Sequence, residues 1–217
     1  MLKSRLFRIL AAVILLPYVL TVAYSIVPAP STLMFADILT FNWPKRDWVS
    51  LDDISPNLQT AVIVAEDSAF CDHFGFDWKQ IEKNLDKAMD GKRFGGASTI
   101  TQQTVKNLFL WSGRSWLRKV LEAPLTLWME IVLSKRRILT LYLNTAEWGE
   151  HVYGAQAASQ KHFGVDAKYI SQYQSALLAA VLPNPIERSA GYPGPYVSMA
   201  AGSIAARAHT VDTSCLK

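Results

Sequence analysis

Acidic side chains are scarce in two stretches of this 217-residue chain, and each scarcity is informative. Between Ile9 and Val27 there is no charge of either sign. Between Lys92 and Arg137 only Glu122 and Glu130 stand against nine lysines and arginines. Cysteine is nearly absent: Cys71 and Cys215 could pair or remain free thiols, and nothing in the sequence decides. No alternating apolar–polar run marks a strand of any length, and there are no repeats or low-complexity tracts, so the chain reads as mostly α. The Walker phosphate-loop signature is missing, as is any recognisable nucleic-acid module.

The uncharged run has a physical use. At about 1.5 Å per residue it spans roughly 28 Å, close to the ~30 Å hydrocarbon core of a bilayer. Lys3, Arg5 and Arg8 precede it, and no charge follows until Asp37, which places the amino terminus in the cytoplasm and the rest outside. A cleaved signal peptide competes, since Pro28-Ala29-Pro30-Ser31 offers small residues, but the run exceeds a usual signal core and favours an uncleaved anchor. The chain then divides into a cytoplasmic tail (1–8), a transmembrane anchor (9–27), a membrane-proximal connector (28–53) and a helical domain (54–217).

The net charge of +4 misleads, because without the three leading cations the body holds 19 basic against 18 acidic residues. What matters is the clustering from Lys92 to Arg137. Lys92 and Arg93 read as a solvated helix face; the other cations, interleaved with apolar residues and two glutamates, read as a site for a polyanion. Placement outside the cytoplasm argues against nucleic acid as that polyanion.

Helix signals are frequent. Ser55-Pro56 supplies a cap and a proline at the first helical position, and Leu58, Ala61, Val62 and Ala65 form a face that delivers Glu66 at the helix end. Asp77 caps a helix toward Met89 that Gly91 stops. Thr99 and Gln102 have capping-box spacing for a helix to about Phe109. Ser115 can cap a long helix interrupted by Pro124, and further helices read over Ser134 to Leu143, Gly154 to His162 and Ser171 to Leu182.

Three segments carry candidate chemistry. Glu66 ends an apolar helix beside Phe70, Phe74, Phe76 and Trp78, so it is either an exposed helix-end acid or a desolvated general base. Gly95-Gly96 before a helix start could cradle phosphate on backbone N–H groups, although glycines before helices are common. Arg118 and Glu122 are four apart and could be a plain helix ion pair.

Taken together these segments resemble the peptidoglycan glycosyltransferase domain of glycosyltransferase family 51, in the single-domain form of the monofunctional biosynthetic peptidoglycan transglycosylases. Glu66-Asp67-x-x-Phe70-x-x-His73-x-Gly75-x-Asp77 matches the first motif of that family at every fixed position, and Gly96-x-Ser98-Thr99-Ile100-Thr101-Gln102-Gln103 matches the second. Arg118-Lys119-x-x-Glu122 matches the third, and Lys135-x-x-Ile138-Leu139-x-x-Tyr142-Leu143-Asn144 the fourth, with Thr140 where glutamate is common. The tract Gly149 to Gly164 resembles the fifth, with His162 where tyrosine is commoner. The motifs fall in family order over roughly Ser50 to Pro185.

The resemblance implies a lysozyme-like helical fold behind one transmembrane helix, and catalytic glutamates at Glu66 (the base) and Glu122. It implies substrate contacts from Ser98, Thr99, Gln102, Gln103, Lys106, Arg114, Arg118 and Lys119, with a mobile loop before Ser98. Asp67, His73 and Asp77 read as architectural, and the fourth and fifth motifs as support for the fold. The implied reaction polymerises glycan strands from lipid II with inversion and release of polyprenyl diphosphate, at the outer face of the bacterial inner membrane. Mg²⁺ or Mn²⁺ would assist diphosphate departure, on Glu122 or near it. The implied partners are lipid II, the growing glycan strand, the membrane and other cell-wall synthesis proteins. The only Ser-x-x-Lys is Ser214 to Lys217, at the chain's end, so transpeptidase activity is not expected. A lysozyme-like muramidase or lytic transglycosylase would share the fold but has no use for the cation cluster, and an anchored scaffold would not need Glu66, Glu122 and Lys106 together.

Overall fold

The computed structural model describes residues 2–91, 96, 98–113 and 115–217. Helices dominate them: α1 (Leu2–Ala23), α2 (Thr32–Leu39), α3 (Pro56–Glu66), α4 (Trp78–Met89), α5 (Ile100–Phe109), α6 (Trp116–Val132), α7 (Lys135–Thr145), α8 (Ala155–Phe163), α9 (Gln172–Val181) and α10 (Pro195–Arg207). The mostly α class expected from the sequence is the one found. Of these helices, α1 is long and apolar enough to cross a membrane.

Local chemistry explains most boundaries. The Ser55 hydroxyl accepts from the Asn57 N–H ahead of α3, and the Asp77 carboxylate accepts from Gln80 N–H ahead of α4. Thr99 and Gln102 form the reciprocal capping box before α5. Ser115 precedes α6 as expected, yet its hydroxyl makes no capping bond. Three features carried too little signal to read. Helix α2 lies in a segment with prolines on either side and tryptophans after it, α10 is built largely of small residues, and the strands are only two or three residues long. These strands, β1 (Lys45–Arg46), β2 (Glu147–Gly149) and β3 (Val152–Tyr153), form one sheet in the order β1-β3-β2. No alternation can show over such lengths.

Helix α9 packs on α10 and α3, while α5 packs on α6 and α7, and the core between them includes Phe70, Ile100, Met129, Tyr142 and Trp148, all nearly or fully buried. The stretch 28–53, read as a connector, is built into this body. The Thr32 hydroxyl donates to Leu110 O at 2.7 Å, β1 pairs in parallel with β3, and Asn144 brackets Val49 through both its N–H and its carbonyl. The end of α1 is held as firmly. Arg137 donates to Tyr24 O and Val27 O at 2.7 and 2.6 Å, and Arg46 donates to Ala29 O. Trp48 lies within cation–π distance of both guanidinium groups. Arg137, at a variable position within the fourth motif, therefore ties the end of α1 to the domain.

Cys71 and Cys215, left undecided by the sequence, form a disulfide across a sequence separation of 144. It ties the segment just after Glu66 to the chain's last turn, where Leu216 is buried and Arg136 donates to its carbonyl. Closing so long a loop is worth up to about 4–5 kcal/mol through the unfolded chain's entropy. The double variant Cys71→Ser/Cys215→Ser is expected to melt on the order of 10 °C lower, and reductant should reproduce that loss in the parent.

Candidate active site

Asp67 joins the first two motifs. One carboxylate oxygen meets His73 Nε2 at 2.8 Å, and the other accepts the Ile100 N–H at 2.9 Å, so this buried side chain supports the first turn of α5. The Thr99 hydroxyl donates to Gly75 O at 2.6 Å. Gly75 has φ +77°, and a Cβ there would sit 2.9 Å from Thr126 Cγ2, so only glycine fits. Asp67 thus joins the segment after Glu66 to α5, His73 holds Asp67, and Asp77 caps α4, in keeping with their architectural reading.

Glu66 lines a cavity of about 210 Å³ together with Asp67, Asp77, Gln80, Ser98 and Thr99. Burial raises its carboxyl above the ordinary glutamate range, while the hydrogen bond from Gln103 and the charge of Lys106 act in the opposite direction. Gln103 Nε2 donates to Glu66 at 2.7 Å, and its carbonyl accepts from the Tyr142 hydroxyl at 3.2 Å. The Glu66 carboxylate, when ionised, can only accept, so it draws the amide N–H₂ and leaves the Gln103 carbonyl for the Tyr142 hydroxyl. The fourth motif, read as fold support, therefore reaches the active site through Tyr142. Tyr142→Phe removes one neutral hydrogen bond of roughly 1 kcal/mol, and kcat is expected to fall about fivefold in a steady-state polymerisation assay.

Next to this cavity, and sharing Ser98 with it, is a second of about 160 Å³ lined by Gln102, Gln103, Lys106, Arg118, Lys119 and Glu122. Helices α5 and α6 each contribute one side. Glu122 is buried at 2% side-chain exposure and receives Arg118 on one oxygen and Lys119 on the other, each at 2.5 Å. The simple ion-pair reading of Arg118 and Glu122 is therefore correct, and it coexists with a cradle. Lys119 also reaches the Ser98 hydroxyl at 3.2 Å. Burial lowers the Lys106 ammonium, and the neighbouring Arg118 adds to this, opposed by Glu122 and Glu66. An arriving anion would reverse that displacement. Lys106 and Arg118 also border a third cavity, of about 280 Å³, whose other walls include Leu33, Leu110 and Trp111.

The sequence-derived set thus converges, with qualifications. Glu66, Ser98, Gln103, Lys106, Arg118, Lys119 and Glu122 surround two adjoining cavities. Thr99 and Gln102 line them too, but Thr99's hydroxyl and Gln102's carbonyl are engaged in holding the loop and the cap. Arg114 and Gly95 lie outside the described residues, as do Lys92 and Arg93. Gln80, Arg207 and Tyr142 are additions that only the folded chain brings to the site.

Among the described residues no group of three or more His, Cys, Asp or Glu is placed to hold a metal, and both Glu122 oxygens are already engaged by cations. Glu122 therefore organises the cradle, and the described side chains do not fit a protein-held Mg²⁺ or Mn²⁺.

A partly desolvated carboxylate beside a cluster of cations, on a helical domain joined to an apolar helix, is an arrangement suited to an enzyme site. Sequence comparison makes the class specific. The transglycosylase family model matches residues 34–207, and the chain belongs to that family. Biosynthetic peptidoglycan transglycosylases similar to it include that of Agrobacterium fabrum, 48% identical over 95% of this chain and 92% of the relative. That of Mesorhizobium japonicum is 50% identical over 92% and 86%. That of Rhizobium meliloti is 48% identical over 88% and 82%. The activity is that of a peptidoglycan transglycosylase. The family match begins at residue 34, in agreement with the packing of 28–53 into the domain.

Proposed function

We propose that this transglycosylase polymerises glycan from lipid II. The growing strand is the donor, and the incoming disaccharide's 4-hydroxyl attacks the donor's anomeric carbon with inversion, expelling polyprenyl diphosphate. Glu66 takes the hydroxyl proton as the C–O bond forms. Its raised affinity for protons brings it closer to the pH at which a general base works best. Lys106, Arg118 and Lys119 stabilise the negative charge that grows on the departing diphosphate, held in position by the buried Glu122. Arg114 is proposed for the same role on the strength of its motif. Any Mg²⁺ or Mn²⁺ that takes part is assigned to the substrate's diphosphate, and no step here depends on it.

The observation that carries this reading is the adjacency of the Glu66 cavity and the cation cradle through Ser98. A hydrolase acting on finished glycan would need the carboxylate but not the cradle. The third cavity supports it: its apolar walls open beside Lys106 and Arg118, where the first units of a polyprenyl chain attached to diphosphate would lie. So do the exposed apolar side chains of α6 (Trp116, Leu117, Val120, Ile131) and α2 (Phe35, Leu39), which extend the apolar surface of the anchor. We place the domain on the outer face of the bacterial inner membrane, with the amino terminus in the cytoplasm. No transpeptidase activity is assigned to this chain.

Detergent-solubilised protein with labelled lipid II tests the proposal. Polymer with stoichiometric release of polyprenyl diphosphate is the expected result. Cleavage of finished glycan without polymer would overturn it.

A further inference from the structure

Charge is divided unequally between the two cavities beside Glu66. The cradle has three cations against Glu122. The Glu66 cavity has three carboxylates, Glu66, Asp67 and Asp77, and among the described residues a single cation, Arg207. Two of those carboxylates are committed, Asp67 to His73 and Ile100 and Asp77 to Gln80 N–H. Arg207 is not. It stands on the last turn of α10, its Nε makes a long 3.3 Å contact to Ser203 O within the same helix, and no carboxylate among the described residues is within ion-pairing distance. The cavity wall therefore includes an exposed arginine with no ion pair among the described residues.

Resting on the polymerase reading above, we infer that Arg207 binds an oxyanion of the acceptor. If the donor's diphosphate fills the cradle and Glu66 must reach the acceptor hydroxyl, the acceptor occupies the Glu66 cavity. An acceptor lipid II is itself anionic, through its diphosphate and the carboxylates of its peptide stem. Among the described residues lining this cavity, Arg207 is the one cation set against its three carboxylates, with Lys106 acting on Glu66 from the neighbouring cradle. A guanidinium pairs with either oxyanion through two parallel N–H bonds, which gives orientation as well as attraction. Arg207 thus acts in binding and registering the acceptor, while the proton transfer remains with Glu66.

The test uses the full chain in detergent with a fixed, labelled short glycan-diphosphate-lipid donor and varied acceptor lipid II. For Arg207→Ala the expected result is a KM for acceptor raised roughly tenfold or more, the loss of one charge-assisted hydrogen-bonded contact, with kcat within about twofold and an unchanged melting temperature. Arg207→Lys should recover part of the loss, since it restores charge without the fork. Two further acceptors identify the oxyanion. If amidating the stem carboxylates raises the parent's KM equally and removes the variant's deficit, the stem is bound; if the deficit persists with amidated and stemless acceptors, the diphosphate is. An unchanged acceptor KM in Arg207→Ala, or a fall in kcat alone, overturns the inference while leaving the polymerase reading intact. Absence of polymer from the parent overturns that reading, and this inference with it.

Discussion

Glu66→Gln is expected to lower kcat by about 10²–10⁴-fold, the usual contribution of a positioned general base, with little change in KM for lipid II. The substitution keeps the shape of the side chain and leaves a carbonyl to accept from Gln103, so the cavity should be preserved. The same variant should be no less stable than the parent, and the sign of this effect is informative. Burial raises the Glu66 carboxyl, so the folded protein holds that proton more tightly than the unfolded chain. Its contribution to stability is greatest below the unfolded value and is lost as pH rises through the folded value. At neutral pH the parent carries a poorly solvated carboxylate that glutamine lacks. Glu66→Gln should therefore melt at or above the parent at neutral pH, with the difference shrinking as pH falls toward the ordinary glutamate value near 4.3. Paired scans of melting temperature against pH measure this. A variant that loses activity and also melts lower at neutral pH would mark Glu66 as structural. The same physics predicts the pH profile: the acid limb of kcat/KM should lie above the ordinary carboxylate range, and Gln103→Ala, which removes a hydrogen bond to the charged form, should move it further up.

Glu122→Ala is expected to do the opposite to stability. Its carboxylate is almost fully buried between Arg118, itself 9% exposed, and Lys119, 45% exposed. Removing it leaves the buried Arg118 guanidinium uncompensated beside Lys106, a change that typically costs about 3–5 kcal/mol. For a chain of this size that lowers the melting temperature by on the order of 10 °C, alongside a loss of activity. Arg118→Ala should be milder, because Lys119 still holds one Glu122 oxygen. Loss of Glu122 also withdraws a charge that raises the Lys106 ammonium, so the variant's residual activity should decline at lower alkaline pH than the parent's. Calorimetry of the two single variants and the double variant gives the coupling between Arg118 and Glu122 directly. A Glu122→Ala protein as stable as Glu66→Gln would show that the pair contributes nothing to the fold and would return Glu122 to a purely chemical role. The two glutamates of the site are thus separable by one measurement, stability at neutral pH.

How much could be read beforehand depended on the range of each interaction. Caps and apolar periodicity are local, so α3, α4, α5 and α7 were legible from Ser55-Pro56, Asp77, Thr99 with Gln102, and Ser134. The motifs singled out Glu66, Arg118, Lys119 and Glu122 because each motif is a short contiguous string, and Lys106 follows the second motif on the same helix. Helix α10 escaped because its small side chains give no strong apolar face, and the sheet because each strand is shorter than one full alternation. Arg207 and Tyr142 were missed for a different reason. Arg207 is unremarkable in its own segment and Tyr142 reads as fold support within its motif; they reach the Glu66 site only through a cavity wall and through a hydrogen bond to Gln103, 39 residues away.

The sequence by itself determined the helical class, the apolar span before a nearly neutral body, the family, and the motif residues for which the roles of base and cradle are proposed. All of these are carried by composition or by short strings whose meaning survives unfolding. Only the tertiary structure decided that Cys71 bonds Cys215, that the stretch 28–53 belongs to the domain, and that Arg137 grips the end of α1. It also decided that both Glu122 oxygens are engaged by cations, and that Arg207 of α10 lines the same cavity as Glu66. These depend on desolvation and on contacts between distant segments, quantities that exist only once the chain has closed around them.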